Sequence, residues 1–385
     1  MPSSKYQSVK ESIQLFLPPV VGFSFLHLMV LIFRYGISMR YFFRILAILG
    51  ICIIGIPFRT YERLRYKRMI DRQPTVEEPI FIIGHWRSGT THLHNILCQD
   101  PRMGYVTTYQ SVFPENVLPG FGRWLFKSFM KLLIPAQRKG DNVKLGVEYP
   151  QEEEFVLGRN HHNSFYDMWY FPRKTMYFFE KYLLGKGATD KSRANFRNDY
   201  YRMIKKAMIN LDRSWFISKN PPNTARIPAL LEIFPNAKFI HIYRNPVMVF
   251  LSTRHFFSKI MPPLQMHTIT EERRNAIVYD LYHQTMDSYF KNRDLIPEDN
   301  LIEVRFEEFD KDQVGTIKMI YNKLGIPGFE DHEHLFRAYT ELKKNYKKNT
   351  YKISRELFEE IKDKSRFTME KLGYELPSEV ELIET

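Results

Sequence analysis

Residues 80–91 read Ile80-Phe81-Ile82-Ile83-Gly84-His85-Trp86-Arg87-Ser88-Gly89-Thr90-Thr91, and the fold turns on them. Four apolar residues in a row predict a strand buried on both faces, as in a parallel sheet. Gly84 and Gly89 let the chain turn sharply, so that backbone amides can close around an anion where the next helix begins. A nucleotide-hydrolysing loop of this kind needs glycine, four residues, glycine, lysine, then serine or threonine. Here the glycine spacing and the final hydroxyl, Thr91, are kept, but Thr90 takes the lysine position and the cation comes earlier, at Arg87. The loop is therefore predicted to hold a phosphate without the lysine-and-magnesium clamp of ATP and GTP chemistry.

A glycine-spaced loop is weak evidence alone, and three segments further along the chain give it weight. Phe239 to Tyr243 reads as a second buried strand, closed by Arg244, with Asn245-Pro246 opening a helix that places proline in its first turn. Ser252 lies two turns further along, beside Arg254 and His255. Upstream of that strand, Phe216-Ile217-Ser218-Lys219-Asn220-Pro221-Pro222-Asn223 puts Lys219 where open α/β sheets place their ligands, at the C-terminal edge. Further on, Leu301 to Phe309 reads as a late strand and acidic turn, with a helix after it that ends in Leu324-Gly325.

These four segments together resemble the PAPS-dependent sulfotransferases, from about residue 79 to the C-terminus. The resemblance implies a three-layer, P-loop-like α/β fold with a central parallel sheet flanked by helices. It implies that Arg87, Ser88, Gly89, Thr90 and Thr91 hold the 5′-phosphosulfate of PAPS, and that Arg244 and Ser252 bind its 3′-phosphate. Lys219 would neutralise charge on the bridging oxygen as PAP departs, with Arg87 assisting, and no metal is called for. The acceptor would be a hydroxyl, from which relatives take the proton with a His or Glu in the loop after the second strand. That loop offers Glu115, since Gln110 has no basic function, and Glu115 is preferred to Glu153 of the acidic run Glu152-Glu153-Glu154. His85 and His92 flank the phosphate loop, and His85 is expected to pack beside the strand end.

Composition agrees with an anion-binding enzyme. The 385 residues carry 56 Lys and Arg against 43 Asp and Glu, a formal net charge of +13. Such a balance suits nucleic acid, an anionic membrane or a polyanionic cofactor. Nucleic acid ranks last, because the chain has no zinc-finger spacing, no RNA-recognition signature and no low-complexity basic arm. Two other function classes compete. A P-loop kinase of small molecules shares the loop, but the missing lysine and the Arg244/Ser252 pair speak against it. A non-catalytic membrane adaptor that binds a nucleotide is disfavoured by the intact phosphate elements.

Residues 1–78 read differently from residues 79–385. Leu15 to Phe33 is without formal charge and approaches the ~20 residues needed to span a bilayer. Ile45 to Phe58 is a second apolar run, short for a span, and Arg59, Arg63, Arg65, Lys67 and Arg68 come after it. Arginines at both ends of the second run favour a lipid headgroup layer. The expectation is an arm of two amphiphilic or re-entrant helices lying in one leaflet, the alternative being a soluble arm packed on a homodimer partner. No small-residue cleavage site follows the first run, so a cleaved signal peptide is not expected. Two cysteines, Cys52 and Cys98, and no Asn-x-Ser/Thr sequon favour a cytoplasmic location, peripheral to the membrane. With 31 Phe and 23 Tyr, and with the apolar arm, the expected acceptor is an amphiphilic, lipid or sterol-like alcohol. Strands alternating with helices imply the parallel sheet, with Gly104 to Tyr109 expected as one of its strands.

Overall fold

The computed structural model describes residues 24–133, 146–160, 164–342, 351–375, 377 and 380–383. The first nine residues of the first apolar run, Leu15 to Phe23, lie outside the described residues, as do the pair His161-His162 and nearly all of the basic loop 343–351. Five strands form one sheet in the order β2-β3-β1-β4-β5: β1 Ile80–Ile83, β2 Met103–Gly104, β3 Trp215–Lys219, β4 Lys238–Tyr243 and β5 Leu301–Arg305. Strands β3, β1, β4 and β5 run parallel, with Ile80 beside both Ile217 and Lys238, and Phe239 beside Leu301. All four residues of β1 are buried, which is why its sequence shows no polar alternation.

The described chain divides into two compact units. One takes the residues up to Val76, Gly104–Phe216 and Ser258–Thr270; the other takes Glu77–Met103, Ile217–Phe257 and the residues from Glu271 onward. The second unit holds β1 with the helix Thr90–Leu97, β4 with the first three turns of Pro246–Leu264, the long helix Glu271–Asn292, and β5. It ends in a two-stranded parallel ribbon, β6 Tyr351–Ser354 and β7 Val380–Ile383, joined by the helix Arg355–Leu372. Ser354 caps that helix by accepting from the Leu357 amide at 3.2 Å.

In the first unit the expected strand Gly104 to Tyr109 is a strand only at Met103–Gly104. Thr107 stops it. Its hydroxyl accepts from the Gln110 amide at 3.1 Å and starts the short helix Thr108–Val112, and a local cap overrides an ambiguous strand signal. Among the described residues the arm's α-helices are Phe25–Tyr35, Phe42–Ile54 and Ile56–Arg72. The stretch Met39–Arg72 is apolar and long enough to cross a membrane by length and composition. Two side chains tie it into the first unit instead. Arg44, buried, donates to the carbonyls of Pro263, Leu264 and Gln265. Glu62, also buried, pairs with Lys206 at 2.5 Å and accepts from the Leu118 amide at 2.7 Å. A carboxylate fixed in this way packs the Glu62 face of the helix Ile56–Arg72 against protein, while Tyr61, Arg63, Leu64, Arg65, Lys67 and Arg68 of the same helix remain exposed.

Candidate nucleotide and acceptor sites

Within the second unit the phosphate loop is built by close approach and backbone strain. Gly84 has φ +137, and a Cβ there would collide with the Ile242 carbonyl oxygen. Its amide donates to the Thr224 hydroxyl at 2.7 Å, which pins the end of β1 to the segment after β3. Gly89 has φ +96, and a Cβ there would strike the Phe306 ring. Gly89 is also the N-cap residue of Thr90–Leu97, and no side chain caps that helix. Its first-turn amides are thus presented by a backbone that only glycine allows, at a helix end that favours negative charge. Ser88 and Thr90 are buried and Thr91 half-buried around this turn.

Arg87 is one of two described non-glycine residues with positive φ, at +71. Such a conformation costs free energy and persists where the surroundings dictate it. Here it aims the guanidinium at the helix after β4: Nε donates to the Ser252 hydroxyl at 2.8 Å, and the group sits 5.7 Å from the Phe256 ring centre. Two residues 165 apart in sequence, one singled out for each phosphate, are therefore joined directly.

Arg244 leaves the end of β4 and lies 4.5 Å over the Phe306 ring. The same ring limits Gly89, so one aromatic side chain packs against both the 84–91 loop and the end of β4. Neither Thr224 nor Phe306 was marked in the sequence; Phe306 stands just after the late strand, and only the packing reveals its role. Asn245 fixes the turn, its side-chain oxygen accepting from the Val247 amide at 3.0 Å and its own amide donating to Glu307 at 3.2 Å. Lys219 is the last residue of β3, buried and level with Ile82 of β1. Burial first, and the Lys219 charge second, push the nearby buried His94 well below the ordinary histidine range, so His94 stays neutral. His85 packs between Trp86 and Tyr282, at 5.1 and 5.0 Å between ring centres, and burial lowers it to about 4. It belongs to the strand end, as its position suggests.

The carboxylates considered for the proton transfer lie in the first unit. Glu115 is buried; Lys206 pairs with it at 3.2 Å and Arg202 at 3.3 Å. Burial by itself would raise its carboxyl, but Lys206 and then Arg202 overturn this and hold it at about 2. An ion-paired carboxylate this acidic accepts a proton poorly at neutral pH. Glu153 accepts from the Tyr200 hydroxyl at 2.8 Å, Glu152 from the Tyr166 hydroxyl, and Glu154 from the Phe165 amide at 3.0 Å. Beside Glu115, and unmarked in the sequence, stands Asp199. Burial, with the Glu115 charge adding to it, raises Asp199 to about 7. Glu115, Asp199, Arg202, Lys206 and Gln110 line one cavity together with Val156 and Leu157. Among the described residues, no group of three or more His, Cys, Asp or Glu is placed to hold a metal ion.

Comparison with known proteins agrees with this geometry. The profile of the sulfotransferase family matches residues 79–331. The omega-hydroxy-beta-dihydromenaquinone-9 sulfotransferase of Mycobacterium tuberculosis is 30% identical over 297 residues, covering 76% of this chain and 74% of that protein. Its Mycobacterium bovis counterpart matches to the same extent. Among solved structures, sulfotransferase STF9 from Mycobacterium avium aligns with a TM-score of 0.64 at 19% identity, over 83% of this chain and 82% of that one. Sulfotransferase STF1 from Mycobacterium tuberculosis aligns with a TM-score of 0.63 at 15% identity, over 94% of this chain and 98% of that one. These two likenesses concern the fold.

Proposed function

This chain belongs to the sulfotransferase family, and we propose that it moves a sulfuryl group from PAPS to the hydroxyl of an amphiphilic lipid. The observation that carries the reading is the Arg87–Ser252 contact beneath a glycine-shaped helix N-terminus. The residues fit a nucleotide with phosphates at both ends. The 84–91 loop with Arg87, Ser88, Gly89, Thr90 and Thr91 suits the 5′-phosphosulfate, and Arg244 with Ser252 suits the 3′-phosphate. PAPS supplies the activated sulfuryl group; the chain's part is to hold it and to neutralise the charge left on the phosphate. Arg87 and the first-turn amides serve that neutralisation, and Lys219 is assigned the bridging oxygen. Glu115 is assigned a positioning role toward the cavity that it lines, because its ion pairs with Lys206 and Arg202 hold its proton affinity low.

The acceptor class rests on the aromatic and apolar composition and is supported by the relative whose name specifies a hydroxylated menaquinone derivative. A long apolar alcohol needs an apolar groove and few polar partners, unlike a glycan. Such an acceptor places the enzyme at a membrane surface, with the arm lying against the headgroups, on the cytoplasmic side. Titration of the purified protein with PAP, ATP and AMP tests the donor half. Micromolar PAP affinity without preference for ATP supports the reading, whereas preference for ATP returns the kinase. PAP binding with no turnover on a panel of lipid alcohols returns the non-catalytic adaptor.

A further inference from the structure

The helix Phe121–Leu133 carries two apolar arcs, and the first unit uses only one. Gly122, Phe126 and Met130, spaced four apart, are buried. Phe126 and Met130 pack with Tyr109 and Val147, against Phe58 and Phe113. On the other side Phe121, Trp124, Leu125 and Phe129 face solvent, the first two 65% and 64% exposed with their rings stacked at 5.7 Å. Phe121, Leu125 and Phe129 adjoin the buried row directly; along its other edge a basic row, Arg123, Lys127 and Lys131, also spaced four apart, separates it from Trp124, and the helix has no acidic residue. Lys127 additionally pairs with Glu148. A helix serving only the core shows one apolar stripe and a polar back. A second stripe edged by cations is the pattern of a helix lying in a lipid interface.

The neighbouring helix Ile56–Arg72 extends this face within the same unit. The Phe58 ring lies 6.3 Å from Phe121, Tyr61 borders Gly120, and the Tyr66 hydroxyl donates to the Pro119 carbonyl. Its Arg63, Arg65, Lys67 and Arg68 are exposed. We propose that the Phe121–Leu133 helix and this basic flank form a docking surface for an anionic lipid bilayer. The aromatic arc enters the headgroup boundary and the cations meet lipid phosphates. Charge decides between occupants: a second copy of the chain would set like-charged rows against each other, while an anionic leaflet complements them. The proposal deepens the membrane-surface reading above and rests on it.

The test uses the full chain and co-sedimentation with phosphatidylcholine vesicles, with and without phosphatidylglycerol. Binding is expected with phosphatidylglycerol, and lipids brominated on the acyl chain should quench tryptophan fluorescence. The double variant Phe121→Ser/Trp124→Ser should lower partitioning at least about tenfold while PAP affinity is kept. Arg123→Glu/Lys131→Glu should abolish the preference for anionic vesicles. If both variants bind as the parent does, this face is overturned and the membrane-surface reading survives. No binding of the parent to either vesicle overturns both. A lipid-free dimer that Trp124→Ser dissolves assigns the face to a second copy. Transfer from PAPS to a short, water-soluble alcohol reports on the sulfotransferase reading independently of every vesicle result.

Discussion

Replacing Arg87 by alanine and by glycine separates what this residue does for ligand from what it costs the fold. Its side chain is the loop's cation and reaches Ser252 at 2.8 Å, while its backbone sits at φ +71. Either substitution removes a charge-assisted hydrogen bond to phosphate, about 1.5–3 kcal/mol. That corresponds to a loss of PAP affinity of roughly tenfold to a hundredfold. The two variants differ in the backbone. Alanine keeps a left-handed strain of about 1–2 kcal/mol, which glycine relieves. Glycine gives back about 0.5–1 kcal/mol through the extra freedom of its unfolded chain. The glycine variant should therefore match or exceed the alanine variant in stability, by up to about 1.5 kcal/mol, with an equal loss of affinity. Calorimetric titration with PAP measures the first quantity and urea denaturation the second. Unchanged PAP affinity in a folded Arg87→Ala protein would refute the phosphate assignment, and a glycine variant clearly less stable than the alanine one would refute the strain argument.

Arg244→Ala should weaken PAP about tenfold and leave adenosine 5′-phosphosulfate, which has no 3′-phosphate, nearly unaffected; equal losses in titration would make Arg244 structural. Lys206→Met removes the cation from the buried Glu62 carboxylate and leaves Glu115 with Arg202 alone, and denaturation at neutral pH should show a loss of about 3–5 kcal/mol. Both carboxylates give that loss its pH dependence: burial keeps the Glu62 carboxyl above its ordinary value despite Lys206, so its share fades first as pH falls, and Glu115 carries the rest. Its folded value of about 2 lies below the ordinary 4.5, so its stabilisation, about 3 kcal/mol, is complete above pH 4.5 and fades as pH falls toward 2. The gap between parent and Lys206→Met should narrow over that window, and a gap independent of pH contradicts the ion-pair account. Glu115→Gln should destabilise the protein yet keep the shape of the pH–rate profile; disappearance of its acidic limb would restore Glu115 as the proton acceptor.

The strand, glycine turn and helix of residues 80–97 were legible because their signals are contiguous: an apolar run, two glycines at fixed spacing and hydroxyls at a helix start. The contact of Arg87 with Ser252 was not legible: the resemblance assigns the two residues to different phosphates, and no local pattern joins positions 165 apart. Phe306 and Thr224 left no signal, because a ring that limits a glycine and a hydroxyl that catches an amide look like ordinary residues until packed. Thr107 misled the strand assignment: β-branched residues suit strands, but its hydroxyl is better satisfied as a cap. Hydropathy marked the arm, whereas the pairing of Glu62 with Lys206 and the grouping of three separate chain segments into one unit are tertiary. The preference for Glu115 came from loop position alone, and its two cationic partners lie on a helix some ninety residues away.

Sulfuryl transfer to a lipid is separated from its rivals by offering the purified full chain PAPS labelled at sulfur, with an apolar long-chain alcohol, a hydrophilic glycan and, in parallel, ATP labelled at the γ-phosphate. The account predicts labelled sulfate on the lipid hydroxyl, abolished by Arg87→Ala, with little label on the glycan and none from ATP. Transfer of the γ-phosphate, or sulfation of the glycan in preference to the lipid, would contradict it.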